Sequence, residues 1–513
     1  PPPPPLFQAE DGIRDALVGL VGSEMCIRDR SETLIPPPGR PPEHSPDDIP
    51  TVPVRRIPPD ELDAEAPPVD DLHISRLPPR LGLLQRIWKG ETLMHYNRLI
   101  VASLAINVAV VIAGLRAGWW TAASGVSMER LSYAVVINFA VAILIRQQRI
   151  INFLFAICTS APLWWPLRIR ALLGKVYHFG GIHVGAAIAG TGWYIALLAY
   201  LLWNRQDASL RVSTTTLSVV IAETAVLIGI CLASRPSFRA RRHDTFELIK
   251  RFGGWTSLLL FWGQTISVLH DQLGAGDSLL SSVVASPQSW LLAAITASVA
   301  SPWLRLRRVP VVIDRPSSHV AVARFDYGVT PFAGSSTVLS HRPLGQFHAF
   351  ANIPTPGKEG FRLAISRAGD WTGDFIDNPP SHVWTKGIPT AGVGNVEALF
   401  KRVVFVATGS GVGPCVPHLI KKLVPSQLVW ATRNPRETYG DAVVDEILTA
   451  TPNAMIWDTD AHGKPDLLEL AYRAYCDFDA EAVICISNKK LTWKVVEGLE
   501  SRGIPAYGAI WDS

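Results

Sequence analysis

Cysteine is scarce in this chain, and the six present, Cys26, Cys158, Cys231, Cys415, Cys476 and Cys485, never fall at CxxC spacing. That excludes a disulfide framework or a zinc site readable from spacing. A surplus of one charge is also missing. Lys and Arg number 48 against 44 Asp and Glu, a net +4, and no long basic tract runs beside aromatics. Nucleic acid is therefore not an expected partner. No Ser-His-Asp arrangement and no metal-hydrolase spacing supports hydrolysis. An initiator methionine is absent too, the first residue being Pro1.

Apolar residues, by contrast, make up 48% of the chain and crowd between about 98 and 304. Residues 1–30 include VGLVGSEMCIR, which resembles a translated sequencing adapter, and are expected to lie outside the folded protein. Residues 31–90 are rich in Pro with scattered acids, too poor in apolar side chains to offset backbone ordering, and read as a disordered tail. The region 91–308 holds six apolar runs, at 98–115, 131–145, 181–203, 214–233, 253–271 and 288–304, with an interfacial helix expected at 150–161. The longer runs supply enough rise to cross a hydrocarbon core of roughly 30 Å. With six spans the basic clusters around Arg86, Arg168, Arg241 and Arg307 fall on one side. The expectation is a multi-pass protein in a lipid bilayer whose C-terminal region is cytosolic.

His178, His183 and His243 stand near that side and are the candidate haem ligands, His243 paired with either of the others. His178 and His183 do not share a helix face, since five residues rotate by about 140°. Polar interhelical contacts are the competing role. The glycines around them suit close helix approach.

From Val309 the pattern changes to short alternating strands. VPVVIDR, SHVAVARFDY, GQFHAFANI and FRLAISR predict a small antiparallel barrel over 309–400. His348 and Phe350 alternate on one strand, so their side chains share a face against which a flavin ring or adenine could pack. Gly369 and Trp371-Thr372 begin a helix whose first amides could face a pyrophosphate, with Thr372 as cap. Over 401–513 the buried strand type VVFV runs into Thr408, Gly409, Gly411 and Gly413, a strand, glycine turn and helix suited to a dinucleotide phosphate. QLVWAT, AMIWDT and EAVICIS extend a parallel sheet. Arg433 could meet a 2′-phosphate or simply face water. Cys485 is either a core thiol or a neighbour of the nicotinamide, and Trp511 either a packing residue or a ring stacked over the flavin.

His348-Ala349-Phe350-Ala351 and Gly369-Asp370-Trp371-Thr372, with the turn from Gly409 to Pro417 and Cys485, resemble the motifs of the ferric reductase and NADPH oxidase superfamily. Ala351 stands where that family carries a hydroxyl. YHFGGIH, HDTFELIKRFGGW and the terminal GIPAYGAIWDS are similar to the fungal TmpA-type group of integral membrane flavoproteins, a group also found as the rear half of some adenylation-domain fusions. The resemblance implies a ferredoxin-reductase-like pair of domains behind a six-helix transmembrane bundle: an FAD-binding barrel and an α/β nicotinamide-binding domain. It further implies a membrane-bound FAD oxidoreductase that takes hydride from NADPH or NADH and passes electrons to an unknown acceptor, with one haem as an optional relay. A signalling scaffold retaining the fold and a transporter are the rival readings.

Overall fold

In the computed structural model, which describes residues 77–119, 128–206, 212–274, 276–355 and 357–509, the apolar runs form helices His95–Arg116, Met128–Leu144, Gly180–Trp203, Thr214–Ala233 and Gly254–Asp271. Gly180–Trp203 packs tightly on His95–Arg116 because glycines leave the room. A Cβ on Gly181 would lie 2.2 Å from the Tyr96 carbonyl oxygen, and one on Gly185 2.6 Å from Ser103 Cβ.

Six spans are not formed. Among the described residues three stretches are long and apolar enough to cross a membrane, His95–Arg116, Leu167–Trp203 and Thr214–Ala233, or up to five if each of two bent pairs counts as one span. The run expected to leave the bundle at 145 does break after Leu144. A new helix, Gln148–Thr159, starts at a 70° bend, capped by Gln147 accepting from the Arg149 and Ile150 amides. Near the last run the chain bends by 76° between Leu279–Ala285 and Pro287. A proline has no amide hydrogen to carry a helix through that point.

The one-sided sorting of basic residues required six spans and falls with them. Several of the cations concerned are also committed within the protein. Arg170 binds Glu481 and the Leu399 carbonyl, Lys175 pairs with Glu500, and Arg251 donates to the carbonyls of Leu344 and Gly345. The expected six-span topology is corrected accordingly, and these side chains tie the helical part to the C-terminal part.

The helix expected to lie at an interface is docked on a strand instead. Gln148 donates to the Ile388 carbonyl at 3.0 Å and accepts from the Ile388 amide at 3.0 Å, while Asn152 does the same with the Pro389 carbonyl and Ala391 amide, both at 2.9 Å. Each amide side chain thus acts as an extra length of strand edge. A Gln148→Ala, Asn152→Ala double variant is expected to lose about 2–4 kcal/mol, at roughly 1 kcal/mol per bond. Urea denaturation of the purified chain measures it, and an unchanged midpoint would refute this docking.

Seven strands follow: β1 Arg307–Pro310, β2 Val312–Asp314, β3 Val320–Phe325, β4 Ser335–Ser340, β5 His348–Ala351, β6 Phe361–Ser366 and β7 His382–Ala391. They make two antiparallel sheets, β1-β7-β4-β5 and β2-β3-β6, and not the single closed barrel expected. Arg307–Pro310 pairs with β7 whereas Val312–Asp314 pairs with β3, so the chain changes sheets at Val311. One isolated bridge, Ile353 to Arg362, joins the other side. Val309, Leu339, Phe361, Leu363 and Phe375 fill the space between the sheets.

The last part is a five-stranded parallel sheet of β8 Val403–Thr408, β9 Ser426–Thr432, β10 Met455–Asp458, β11 Ala482–Ile486 and β12 Ala506–Gly508, in the order β10-β9-β8-β11-β12. Every residue from Val403 to Ala407 is fully buried because both faces are covered. Phe405 and Ala407 point to one core, Val404 and Val406 to the other. The chain begins in the middle of the sheet, winds outward through β9 and β10, then returns to start β11 on the other side of β8. Sheets with such a reversal bind their ligands beyond the carboxyl ends of the strands beside it, here β8 and β11.

Residues 77–90, expected in the disordered tail, pack on this sheet's helices. Arg502 Nε donates to the Pro78 carbonyl at 2.9 Å, Leu81 N donates to the Ser501 carbonyl at 2.7 Å, and a short helix spans Leu83–Lys89. The rest of the tail and residues 1–30 lie outside the described residues.

Candidate functional site

At the reversal of the parallel sheet, Thr408 ends β8 and the chain turns sharply. Gly409 has φ +49°, a left-handed value that favours glycine. Gly411 is pressed on the neighbouring strand, and a Cβ there would lie 2.1 Å from the Ile486 carbonyl oxygen. Gly413 passes 3.7 Å, by the same measure, from the Ala364 carbonyl oxygen of β6, which sets the turn against the antiparallel sheets. The turn is held from outside by Trp430, whose Nε1 donates to the Gly409 carbonyl at 2.9 Å and whose ring meets Tyr439 edge-on at 4.9 Å. A single 3₁₀ turn, Gly409–Val412, is followed by the helix Val416–Lys421.

Ser487 was not singled out in the sequence, yet it is fully buried at the mouth of β11 and its hydroxyl contacts that of Thr408. The signal was available: Ser487 is the first polar residue after the buried run of β11, one step beyond the Ile486 to Ala407 pairing. Its amide donates to Thr492 Oγ1 at 3.2 Å, anchoring the start of the next helix. The buried pair of His418 Nδ1 and Glu397 Oε1, at 2.6 Å, was likewise unforeseen. It closes the seam between the antiparallel and parallel sheets. His418 fits there because Gly334 and Gly394 lack side chains: a Cβ on either would sit within 2.3 Å of Nε2.

Arg433 stands at the end of β9, its side chain 80% exposed and loosely paired with Asp460 at 3.6 Å. Cys485 is fully buried in the core that β11 shares with Val404, Val406 and Val495, and burial pushes its thiol up to about 12. A protonated, enclosed thiol is a packing group. Trp511 lies outside the described residues.

On the antiparallel side, His348 and Phe350 do share a face. Trp371 lies over both, with ring centroids 4.6 Å from His348 and 5.8 Å from Phe350, and Phe375 continues the stack at 5.4 Å. Thr337 is the cross-strand partner of Phe350, and Ala351 that of Ser336. The Thr337 hydroxyl is buried without a hydrogen-bond partner among the described residues. Gly369 is the N-cap of the helix Asp370–Asp377. Thr372 is three residues in and caps backwards, accepting from the Ala368 and Gly369 amides at 2.8 and 3.0 Å. Its hydroxyl is therefore committed to the backbone, not presented as the helix cap facing a phosphate.

The histidines divide. His178 belongs to the 3₁₀ turn Gly174–Phe179, packed against His95 and Tyr177 at centroid distances of 5.8 and 4.3 Å. His183 Nδ1 lies 2.6 Å from the Ala142 carbonyl, an interhelical contact. His243 begins the helix His243–Leu248.

Residues 393–513, which contain the glycine turn and the parallel sheet, match the family described as "Adenylate-forming reductase 03009, C-terminal domain". Two proteins of Coprinopsis cinerea are similar over most of this chain. Adenylate-forming reductase 03009 is 43% identical over 432 residues and adenylate-forming reductase 06235 is 43% identical over 435, in each case 84% of this chain and 41% of the relative. The chain thus spans about two fifths of the length of these curated relatives. Among solved structures, a flavohemoglobin from Malassezia yamatoensis with bound FAD and heme is similar at 14% identity and a TM-score of 0.37, covering 79% of this chain and 98% of that one. A ferredoxin-NADP+ reductase from Plasmodium falciparum is similar at 13% identity and a TM-score of 0.32, covering 40% and 96%. Likenesses so distant say nothing of activity. The relatives overturn the family read from the His348 to Thr372 motifs: they are named as adenylate-forming reductases, not as ferric reductases, NADPH oxidases or TmpA-type flavoproteins. The membrane-bound, haem-linked electron carrier is corrected with it, as are the bilayer partner and the multi-pass protein with a cytosolic C-terminal region, and what this chain is similar to, over 84% of its length, is part of an adenylate-forming reductase.

Proposed function

We propose that this chain is an NAD(P)H-dependent reductase, holding the dinucleotide phosphates over the Gly409 to Gly413 turn. The observation that carries the reading is Gly411, whose missing side chain lets the turn lie against the Ile486 carbonyl at the point where the strand order reverses. A Cβ there would lift the turn off the strand and displace the backbone amides that can approach a pyrophosphate. The names of the two relatives support reduction as the chemistry, and the matched C-terminal domain includes this turn.

A flavin is the second cofactor we propose, between the antiparallel sheets and the turn. The fit rests on the unpartnered Thr337 hydroxyl beside Phe350 and on the flat wall of His348, Phe350 and Trp371. When bound, a flavin supplies an acceptor for the nicotinamide hydride. Phe350 and Trp371 would orient its ring, Ala351 would leave space beside it, and the backbone at Gly369 would lie near its phosphates. Thr408 and Ser487 would mark where the nicotinamide end enters and exclude water there. Electrons would pass to a substrate bound by the same protein.

The test is titration of the purified chain with NADPH and with NADH, followed by quenching of tryptophan fluorescence, then addition of FAD and a check for bleaching of its absorption by the bound nicotinamide. Failure of both dinucleotides to bind would end the proposal. Binding without flavin uptake would leave a reductase acting directly on its substrate.

Arg433 gives a narrower expectation. If its exposed guanidinium meets a 2′-phosphate, Arg433→Ala weakens NADPH about tenfold, roughly 1.4 kcal/mol, and leaves NADH within twofold. Equal effects on the two Kd values would remove it from the site.

A further inference from the structure

We infer that the chain has a second ligand site, for a small organic anion, in the cleft where helix His95–Arg116 and the turn Gly174–Phe179 meet β12 and helix Lys489–Glu500. The cleft opens to solvent between these elements. It lies beside Gly508 at the outer edge of the parallel sheet, with β11 between it and the glycine turn that follows β8. It is therefore distinct from the dinucleotide site proposed above.

Three observations point to an anion. The first is charge: among the described residues Lys89, Arg98 and Lys175 line the cleft against the single carboxylate of Glu500. That carboxylate is already paired with Lys175, whose Nζ also donates to the Ala506 carbonyl at 2.7 Å. Arg98 is fixed by the carbonyls of Leu93 and Trp88 and by stacking 3.7 Å from the Trp88 ring. These bonds hold the guanidinium in place without neutralising it. The second is His178, only 6% exposed, whose Nδ1 is buried with no hydrogen-bond partner among the described residues. The third is the cleft itself, which keeps these groups from closing on one another.

Three cations gathered around one carboxylate, and a buried ring nitrogen without a partner among the described residues, both cost free energy. One anion answers both, accepting from His178 Nδ1–H and from Lys89. Met94, Trp493 and Val496 supply an apolar stretch of the wall, beside His95, Tyr177 and Thr492. The ligand class is accordingly a carboxylate or phosphate monoester with an apolar body, its charged end toward Lys89 and His178.

The experiment is isothermal titration of the full chain with benzoate and with phenyl phosphate, at ionic strength held constant with potassium chloride. We expect saturable binding of at least one of them, weakened tenfold or more by Lys89→Gln and unaffected by Lys494→Gln, which removes an exposed cation that lies on the helix Lys489–Glu500 and is paired with Asp466 away from the cleft. Tighter binding of phenyl phosphate would assign a phosphate monoester, and tighter binding of benzoate a carboxylate. Lys89 is at the surface end of its helix, so its variant should fold, and its NADPH affinity serves as the check. No saturable binding of either anion, or binding that Lys89→Gln leaves intact, would overturn the site.

Discussion

Gly411→Ala is expected to abolish measurable dinucleotide binding, a loss of 100-fold or more, while costing the fold about 2 kcal/mol. The added Cβ would sit 2.1 Å from the Ile486 carbonyl oxygen and 2.9 Å from its carbon, and neither is the free end of a flexible side chain. The strand Ala482–Ile486 cannot retreat, because it is hydrogen-bonded on both sides, to β8 and to β12. The turn must therefore lift, carrying with it the backbone that would meet the phosphates. Overpacking of this kind usually costs about 1–3 kcal/mol of stability, and a 100-fold loss of affinity is about 2.7 kcal/mol. The two readouts separate the outcomes: NADPH titration reports the site, thermal unfolding the fold. A variant that binds NADPH like the parent would remove the turn from the phosphate site. Gly413→Ala is the milder companion, since its Cβ would meet nothing closer than 3.4 Å.

Glu481→Gln is expected to destabilise the chain by about 3 kcal/mol, and Glu481→Ala by more. Arg170 reaches from the helix Leu167–Leu173 and grips both carboxylate oxygens of Glu481, at 2.7 and 3.1 Å, with a third bond of 2.6 Å to the Leu399 carbonyl. Its side chain is 4% exposed and that of Glu481 20%. Removing the acid would strand a guanidinium that cannot deprotonate, the costly half of breaking a buried pair. Replacing both, as in Arg170→Met with Glu481→Leu, should recover most of the loss, which a double-mutant cycle would show. The same pair sets an acid limit. Burial alone would raise the Glu481 carboxyl, but bonds from Arg170 and the Lys401 amide outweigh it and hold the carboxyl below its ordinary 4.5. A depressed carboxyl adds stability above the unfolded value. The contribution is thus complete at neutral pH and fades as pH falls below about 4.5. An equal acid sensitivity in the Arg170→Met, Glu481→Leu chain would place the acid limit elsewhere.

The legible parts of the chain were those where local order and burial coincide. Val403 to Val406 could be read as a strand covered on both faces, and Gly409, Gly411 and Gly413 as its turn, because continuous β-branched runs and clustered glycines have few other uses. His348 and Phe350 were placed on one face by the period of a strand, and the structure puts both under Trp371. Strands β4 and β7 were not legible. SSTVLS lacks apolar alternation, and HVWTKGIPTA is interrupted by Gly387 and Pro389, so each becomes a strand only through its neighbours. The six-span reading failed for a related reason. Hydropathy measures how apolar a run is, not whether it bends at Gln147 or Ser286, nor whether its flanking cations meet Glu481 and Glu500.

By itself the sequence determined the elements whose physics is local: where apolar residues continue, where a strand alternates, and where only glycine tolerates a turn at Gly409 or a neighbour as close as Ile486 carbonyl is to Gly411. The tertiary structure alone decided which distant groups share a site. Arg170 and Glu481 stand 311 residues apart and Gln148 and Ile388 240, and the cleft brings Lys89 beside Gly508. Such pairings depend on desolvation and geometry summed over the whole fold, and no short window of sequence carries that sum.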